Sequence, residues 1–269
     1  MPYSRLADSA IPPGLREWWA GTRSVELWGT LAWYDIVLRY RRSMLGPFWL
    51  TISTGLMLLG MGPLYAMILG VPIGQFFPHL TLGIIFWGFF SSSINDGCSV
   101  FYANAMYLKQ PGFPASAIVW RCLARNLIQL AHTIILFVPV VLWFRLPINP
   151  SVLAFLPGLF LVVVNLHAAM ITIGVLAARY RDVVQIVNSM LTLMLFLTPV
   201  FWVPDKLPQR AKFILWNPFA HMLAAVRLPL LGCWLSVDTV IYLSLFTMAN
   251  IVIAAVVWCT ARRNVVFWV

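Results

Sequence analysis

Long runs without an ionised side chain dominate the pattern of apolar and polar positions along this chain. From Ser43 to Asn95 there is no acidic or basic residue except His79. One membrane-spanning helix needs about 20 apolar residues, so a run of this length predicts two spans. The Gly and Pro residues between Gly70 and Pro78 predict a turn between the two spans. We place them at about 45–69 and 79–101.

Four further apolar runs follow along the chain. Arg145 separates the first two of them, beside the turn-forming Pro147, Asn149 and Pro150. Each run is close in length to the hydrocarbon core of a bilayer. The pattern therefore predicts an all-α integral membrane protein with six transmembrane helices, the last four at about 117–144, 152–178, 183–203 and 239–261.

A different pattern precedes the first span. Leu27, Leu31, Tyr34 and Leu38 recur at helical spacing among polar residues. Such a helix is too polar to cross a bilayer, and its basic end fits the headgroup level. We predict an amphipathic interface helix within a cytoplasmic N-terminal segment, 1–43, ahead of a transmembrane domain at 44–269.

The segment 204–232 separates the predicted fifth and sixth spans. It contains two apolar stretches, around Phe213–Trp216 and Phe219–Leu231, and both are too short to cross a membrane. Backbone groups that enter lipid must be hydrogen-bonded internally. We therefore predict short re-entrant helices on the outer side of the membrane.

Composition supports the membrane class. Hydrophobic residues make up 61% of the 269 residues and charged residues only 10%, against roughly 25% charged in soluble domains. The formal net charge of +10 could indicate a nucleic-acid-binding protein. The basic residues, however, lie at the edges of the uncharged runs, which is typical of membrane topology. We therefore predict no nucleic-acid partner.

The distribution of Lys and Arg gives the predicted orientation. Of the 18 basic residues, 13 fall on one side of the six-span arrangement: in the N-terminal segment, the second-to-third and fourth-to-fifth connections, and the C-terminal tail. Basic residues are retained in the cytoplasm. Both termini are therefore predicted to be cytoplasmic, in a bacterial inner membrane.

Motifs for catalysis are missing from the sequence. It contains no GxxxxGK[ST] phosphate-binding loop and no HExxH or comparable metal-binding cluster. We predict no catalytic residue, no metal site and no ATP hydrolysis by this chain alone. Asp96 is the one acidic residue within a predicted span. It can be a paired structural carboxylate or part of a conduction path, and a proton relay normally needs more than one such group.

Three sequence elements resemble those of one transporter family. Residues 40–49, YRRSMLGPFW, resemble the RYRxSxLGxxW element of ABC-2 type permeases that export polysaccharides, O-antigens and teichoic acids. Residues 178–183, ARYRDV, resemble the RYRD loop of that family. Residues 197–202, 216–219 and 227–232 resemble its TPVFW, NPF and R.PLLG region. The elements occur in the order of the family and extend over nearly the whole chain.

This resemblance implies a homodimer of permeases, each docked on a separate ATP-binding cassette subunit that holds ATP and Mg²⁺. The expected cargo is a polyprenyl-pyrophosphate-linked glycan. Arginines at the headgroup level suit its phosphates, although anchoring to lipid headgroups remains an alternative for them. The hypothesised headgroup residues are Arg39, Arg41 and Arg42.

Two further sets of site residues are hypotheses of the same kind. Aromatic faces can stack on sugar rings, so some of the 13 tryptophans can line a glycan path, while most are expected to be interfacial anchors. The candidates for the translocation path or gate are Trp49, Trp87, Asp96, Pro199, Phe201 and Trp202. The candidates for coupling to the ATPase are Tyr107, Lys109, Gln110, Phe113, Arg179, Arg181 and Asp182.

Two alternatives stay open at this point. An ABC-2 exporter of drugs or small lipids would share the same architecture, because only the motif resemblance points to a sugar-bearing substrate. A membrane-embedded glycan-processing enzyme or scaffold would need several polar or acidic residues around a site at the membrane surface. This chain has few of them.

Overall fold

A computed structural model describes residues 12–41, 44, 46, 48–147, 149–203 and 216–269. Within these ranges all regular secondary structure is helical, which confirms the all-α prediction. Two sequence predictions lie outside the described residues. One concerns Arg42, and the other concerns the part of the outer region at 204–215.

The described residues form eleven α-helices. They are α1 Pro13–Arg23, α2 Val25–Tyr40, α3 Phe48–Leu69, α4 Ile73–Ser99, α5 Ala105–Leu108, α6 Ser116–Thr133, α7 Phe137–Phe144, α8 Phe155–Arg179, α9 Asp182–Leu197, α10 Pro218–Leu230 and α11 Val237–Trp268. Short 3₁₀ turns lie at Tyr102–Asn104, Ile134–Leu136 and Pro150–Ala154.

Five helical segments are long and apolar enough to cross a membrane: Phe48–Leu69, Ile73–Ser99, Ser116–Phe144, Pro150–Arg179 and Val237–Trp268. They correspond to five of the six predicted spans, so the protein is a multi-pass membrane protein. The segment predicted as the fifth span is apolar but forms a helix of only 16 residues, α9. A helix of that length extends about 24 Å, against about 30 Å for the hydrocarbon core.

The end of α9 has a local cause. Thr198, which precedes Pro199, takes the extended conformation, with φ −92° and ψ 139°. The proline ring disfavours helical geometry at the residue before it. The helix therefore ends at Leu197, and the predicted continuation to Val203 is replaced by a turn.

Other boundaries also differ from the sequence-based spans. The second span begins at Ile73 instead of 79, because α4 continues through Gly74 and Pro78 with Pro72 as its N-terminal flanking residue. The last helix extends beyond the predicted 261 to Trp268. The turn predicted from the Gly and Pro residues therefore extends too far toward the C-terminus, since Gly74 and Pro78 belong to α4.

The third span is interrupted by the 3₁₀ turn Ile134–Leu136. Pro139 lies one turn further on, in α7, and it has no N–H to donate to the carbonyl of the preceding turn. A missing helical hydrogen bond of this kind allows the tighter 3₁₀ geometry. The span ends at Arg145, which adopts a left-handed conformation with φ 51°.

The core is built around α4 and α8. On α4, Phe76, Phe86 and Phe90 have no exposed surface. The two helices approach closely near Gly97 and Gly174, where a Cβ atom built on Gly174 would lie 2.9 Å from the carbonyl oxygen of Gly97. Small residues permit such backbone contact between membrane helices, where packing replaces the hydrophobic effect.

Substituting Gly174→Ala should therefore destabilise the bundle by about 2 kcal/mol, because the added methyl group overpacks the α4–α8 contact. The thermal midpoint of the purified protein in detergent measures this effect. Gly60→Ala is the matched control, since no atom lies within 4 Å of a Cβ built there. A midpoint for Gly174→Ala equal to that of Gly60→Ala would contradict the packing described here.

Candidate functional site

Polar side chains concentrate at the two ends of the bundle. We call one of them the basic end. It contains α1, α2, the α4–α6 and α8–α9 connections and the last turns of α11. The opposite end contains the α3–α4 turn, the end of α9, and α10.

An ion network joins α2 to the bundle at the basic end. Both oxygens of the Asp35 carboxylate accept hydrogen bonds from Arg121, from Nε at 2.8 Å and from Nη2 at 2.6 Å. Arg125 lies 3.5 Å from Asp35 and donates to Asp96 at 2.6 Å. Asn126 also donates to Asp96, at 2.9 Å. The side chains of Asp35, Arg121 and Arg125 are only 13–17% exposed, so water screens these pairs incompletely.

Asp96 is therefore paired in this conformation. Its two partners, Arg125 and Asn126, lie on α6, while Asp35 reaches Arg125 from α2. The network thus links α2, α4 and α6. The hydrogen bonds are those that a structural carboxylate would make, and a role in the conduction path stays a prediction.

A cavity of about 280 Å³ opens beside the network, between α3, α4 and α6. Arg39 and Tyr40, at the end of α2, form part of its wall. Arg41 follows α2 and is exposed. Of the hypothesised headgroup arginines that the structure describes, Arg39 and Arg41, Arg39 lines this cavity.

Helix α1 packs across the basic end through Glu17, which the sequence analysis did not single out. The Glu17 carboxylate accepts from the backbone N–H of Ser116 at 3.0 Å and from the indole N–H of Trp258 at 2.8 Å. It therefore bridges the start of α6 and the last third of α11. Burial raises the pKa of Glu17 above its ordinary value of 4.5, while the hydrogen bonds from Ser116 and Trp258 and the nearby Arg262 oppose the shift.

A tryptophan and histidine cluster also holds α1. The indole N–H of Trp18 donates to Nε2 of His167 at 3.1 Å. The ring of Trp120 stacks on His167 with centroids 4.0 Å apart, and its N–H donates to Thr22 at 3.0 Å. His167 on α8 therefore contributes to the packing of α1 and α6.

The candidate coupling residues lie at the surface of the basic end. Tyr107 and Phe113 have ring centroids 5.6 Å apart, and the guanidinium of Arg121 lies 5.0 Å from the Tyr107 ring. Lys109 and Gln110, between them in sequence, are exposed. The α4–α6 connection is therefore attached to the same arginine that holds Asp35 of α2.

The remaining coupling candidates surround the α8–α9 connection. Arg179 lies over the ring of Trp268 at 5.4 Å, near the end of α11. Arg181 lines a cavity of about 380 Å³ together with Tyr102 and Trp268. Asp182 is the first residue of α9 and is exposed.

At the opposite end, Arg227 of α10 is buried with 3% of its surface exposed. Its Nη1 donates to the carbonyl oxygen of Pro199 at 2.6 Å and lies 3.0 Å from Nε2 of His79. The same His79 nitrogen lies 3.1 Å from the carbonyl oxygen of Trp202. Nε2 can accept from Arg227 or donate to Trp202, depending on the tautomer, but cannot do both. In either case the bond from Arg227 to Pro199 attaches the turn after α9 to α10.

Two residues of the sequence motifs connect α9 to α10. Nδ2 of Asn217 donates to the hydroxyl of Thr198 at 3.0 Å, and Oδ1 of Asn217 accepts from the N–H of Phe219 at 3.0 Å. Asn217 is thus the N-cap of α10. Thr198 and Asn217, one from each motif, therefore hold the end of α9 against the start of α10.

The candidate gate residues separate into two groups. Pro199, Phe201 and Trp202 lie together in the turn after α9, where Phe201 packs against Tyr65 with ring centroids 5.9 Å apart. Trp87 lies on α4, is 8% exposed and contacts Phe219. Trp49 lies in the first turn of α3 and is 60% exposed. Whether any of these side chains contacts a substrate stays a prediction.

No cluster of three or more His, Cys, Asp or Glu side chains suited to a metal ion occurs among the residues that the structure describes. The partly buried acids of the ion network, Asp35 and Asp96, are instead paired with Arg121 and Arg125. These pairs hold α2, α4 and α6 together.

Comparison with known proteins identifies the family. The model of the ABC-2 type transporter family matches residues 26–231. The chain belongs to the ABC-2 type transporter family. The match begins in α2 and ends directly after α10, so it includes both the ion network around Asp35 and the Arg227 cluster. ABC-2 transporters are transport proteins of membranes, in agreement with the five long apolar helices.

Three curated relatives are similar to this ABC-2 protein. Two are O-antigen export system permease proteins RfbA of Klebsiella pneumoniae, 28% identical over 199 residues and 26% identical over 200 residues. The third is the protein of the same name from Myxococcus xanthus, 24% identical over 197 residues. Each alignment covers 72% of this chain and 75% of the relative.

The ion network predicts a stability effect for Asp35→Asn. This change removes the charge that both Arg121 and Arg125 face on α2, and it should destabilise the protein by about 2 kcal/mol, since a partly buried cation loses its partner. Glu26→Gln is the matched control, because Glu26 lies on the same helix and is exposed. Equal thermal midpoints for the two variants would contradict a structural role of the network.

The Glu17 site predicts a pH dependence. Because the pKa of Glu17 is raised in the folded state, the folded protein holds this proton at pH values where the unfolded chain has lost it. Its contribution to stability should therefore decrease as pH rises above about 4.5. Thermal midpoints of the wild type and Glu17→Gln, measured from pH 4.5 to pH 7.5, test this. The wild type should lose stability relative to the variant over that range, and parallel curves would refute the prediction.

Proposed function

We propose that this chain is the transmembrane permease subunit of an ATP-driven exporter that moves a lipid-linked, O-antigen-like polysaccharide across a bacterial inner membrane. The observation that carries the proposal is the ABC-2 match over residues 26–231, together with three relatives that are O-antigen export permeases. The family places the chain among transport subunits and argues against a glycan-processing enzyme.

The proposed topology has six spans, with both termini in the cytoplasm. α9 begins beside the end of α8 at the basic end and ends near Arg227 and His79 at the opposite end. It therefore runs in the direction that a sixth crossing requires. The basic end would face the cytoplasm, because basic residues are retained there.

The interface helix and the outer re-entrant helices belong to the same proposal. On α2, Tyr34 and Leu38 are 58% and 63% exposed, so this part of the predicted apolar stripe points away from the bundle and is available to lipid. α10 is a 13-residue helix at the opposite end. It is too short to span a bilayer and suits a re-entrant or interfacial position.

A separate ATP-binding cassette subunit is the proposed source of energy, with ATP and Mg²⁺ bound there. A conformational change of that subunit would be transmitted to the membrane spans through α2 and the α4–α6 connection. Arg121 supports this route because it pairs with Asp35 of α2, contacts Tyr107 of the connection and belongs to α6 itself. Tyr107, Lys109, Gln110 and Phe113 are the proposed contact residues on the connection.

Arg179, Arg181 and Asp182 would extend the same docking surface at the α8–α9 connection. A second copy of the chain would complete the path, as in a homodimer. The proposed path or gate includes the turn with Pro199, Phe201 and Trp202, together with Trp49, Trp87 and Asp96.

The proposed substrate headgroup is a pyrophosphate. Arg39, Arg41 and Arg42 would bind it, because guanidinium groups form paired hydrogen bonds to phosphate oxygens. The wall position of Arg39 in the cavity between α3, α4 and α6 supports this role.

Deleting the gene in the source organism tests the function. The deletion strain should lose surface polysaccharide and accumulate lipid-linked polysaccharide inside the cell, and the wild-type gene should restore export. The Arg39→Gln/Arg41→Gln variant should export at least about tenfold less, since each lost charged hydrogen bond costs about 1.5 kcal/mol or more. Immunoblotting and sugar analysis of surface and internal fractions measure both quantities.

Arg23→Gln serves as the control in that experiment. Arg23 is also an exposed arginine at the basic end, but it lies at the end of α1 over the Trp19 ring. This variant should export normally at equal membrane abundance. Unchanged surface polysaccharide in the deletion strain would refute the function. Greater drug sensitivity of that strain instead would favour the alternative, an ABC-2 exporter of drugs or small lipids.

A further inference from the structure

Two cavities lie end to end along the same three helical segments. The polar cavity of about 280 Å³ is lined by α3 at Leu50 and Thr54, while an apolar cavity of about 510 Å³ is lined by α3 from Gly55 to Pro63. The segment 116–144 contributes Asn126–Thr133 to the first and Leu136–Phe144 to the second. From Leu50 to Pro63, the pair extends roughly 20 Å along α3 at the helical rise per residue.

The polar cavity offers a cation without a partner. Arg39 is the one ionised side chain in its lining, and no Asp or Glu borders it. In the described part of the chain the guanidinium of Arg39 has neither an ion pair nor a hydrogen bond, and the Gln129 amide in the same lining is also unbonded. Arg121 and Arg125, in contrast, are both paired with carboxylates. This cavity can therefore bind an anion, with a guanidinium and an amide as donors.

The lining of the second cavity contains no charged, hydroxyl or amide side chain. Its walls are Leu58, Leu59, Phe77, Trp143 and Phe144, with Gly55 at the boundary. A Cβ built on Gly55 would lie 3.3 Å from Leu136, so the absence of a side chain there keeps this contact between α3 and the third span unstrained. Leu59 is 66% exposed and Trp143 83% exposed, so the cavity is open toward the surrounding lipid. In a bilayer such a cavity selects its occupant by shape, since lipid tails are equally apolar.

We propose that the two cavities together hold the lipid anchor of the exported glycan: a polyprenyl diphosphate with its phosphates at Arg39 and Gln129 and its isoprenoid chain in the apolar cavity. This inference rests on the proposed export function and deepens it. The order of the cavities matches such a molecule, with the cation at the basic end and hydrocarbon contacts beyond it. The anchor would thus bind on the flank of α3 that faces α6 and α7.

Photo-crosslinking tests the site directly. The purified full chain is placed in phosphatidylcholine nanodiscs with a polyprenyl diphosphate that carries a diazirine on its hydrocarbon chain. Labelled peptides should come from 48–69 and 134–144. Unlabelled polyprenyl diphosphate should suppress the labelling, whereas polyprenol and phosphatidylglycerol at the same concentration should not.

Two variants test the diphosphate site and the isoprenoid site separately. Arg39→Gln should reduce labelling about tenfold, through loss of a charged hydrogen bond. Leu59→Trp fills the apolar cavity and should reduce it to a similar degree. Leu64→Trp is the matched control, because Leu64 is also exposed, at 55%, and lies on α3 outside both linings. Thermal midpoints confirm that each variant is folded.

Three results would overturn the inference. The first is labelling spread over the outward faces of α9 and α11. The second is competition by phosphatidylglycerol as strong as that by polyprenyl diphosphate, which would indicate an ordinary lipid site. The third is labelling of Leu59→Trp equal to that of Leu64→Trp. The gene-deletion experiment is independent of these results. If the deletion strain loses surface polysaccharide but the photo-crosslinks map elsewhere, only the anchor site is refuted. If the deletion strain keeps its surface polysaccharide, the export function is refuted.

Discussion

The fold depends on one constraint: a polar group inside a helical bundle in lipid has to be paired within the protein, because hydrocarbon offers no hydrogen bonds. The protein meets this constraint at two levels. At the basic end, Arg121 and Arg125 are paired with Asp35 and Asp96. At the opposite end, the buried Arg227 donates to the Pro199 carbonyl. Between these two levels, Asn165 of α8 donates to Thr247 of α11 and accepts from Asn250 of α11, and the other contacts between the helices are mainly apolar side chains and glycines.

The pairing explains why α1 and α2 are parts of the bundle and not loose appendages. Asp35 attaches α2 to α6, and Glu17 attaches α1 to the start of α6 and to Trp258 of α11. Each attachment uses an acid in a helix outside the spans and a donor at the end of a span. The two helices therefore brace the basic end. Any partner that pushes on them acts on at least two spans at once.

The sequence predicted what depends on composition over long stretches. Five spans follow from continuous apolar runs, because a hydrocarbon solvent imposes apolarity on every lipid-facing position. Pairings across the fold could not be predicted in this way. Asp35 and Arg121 are 86 positions apart. In the sequence Glu17 resembles an ordinary surface acid, because its partners Ser116 and Trp258 are 99 and 241 positions away. The early end of α9, in contrast, has a local signal in the sequence, because Pro199 disfavours helical geometry at Thr198.

Helix α4 connects the two polar levels. It contains Asp96 near one end and His79 near the other, so both clusters include a side chain of the same helix. Its close contact with α8 at Gly97 and Gly174 leaves little freedom to bend there. A displacement of α2 that keeps the Asp35–Arg121 pair must move α6. It must then either separate Arg125 from Asp96 or carry α4 along. In the second case His79 moves against Arg227 and Trp202, and the turn after α9 shifts. The pairing that stabilises the fold in lipid is thus also a physical connection from one end of the bundle to the other.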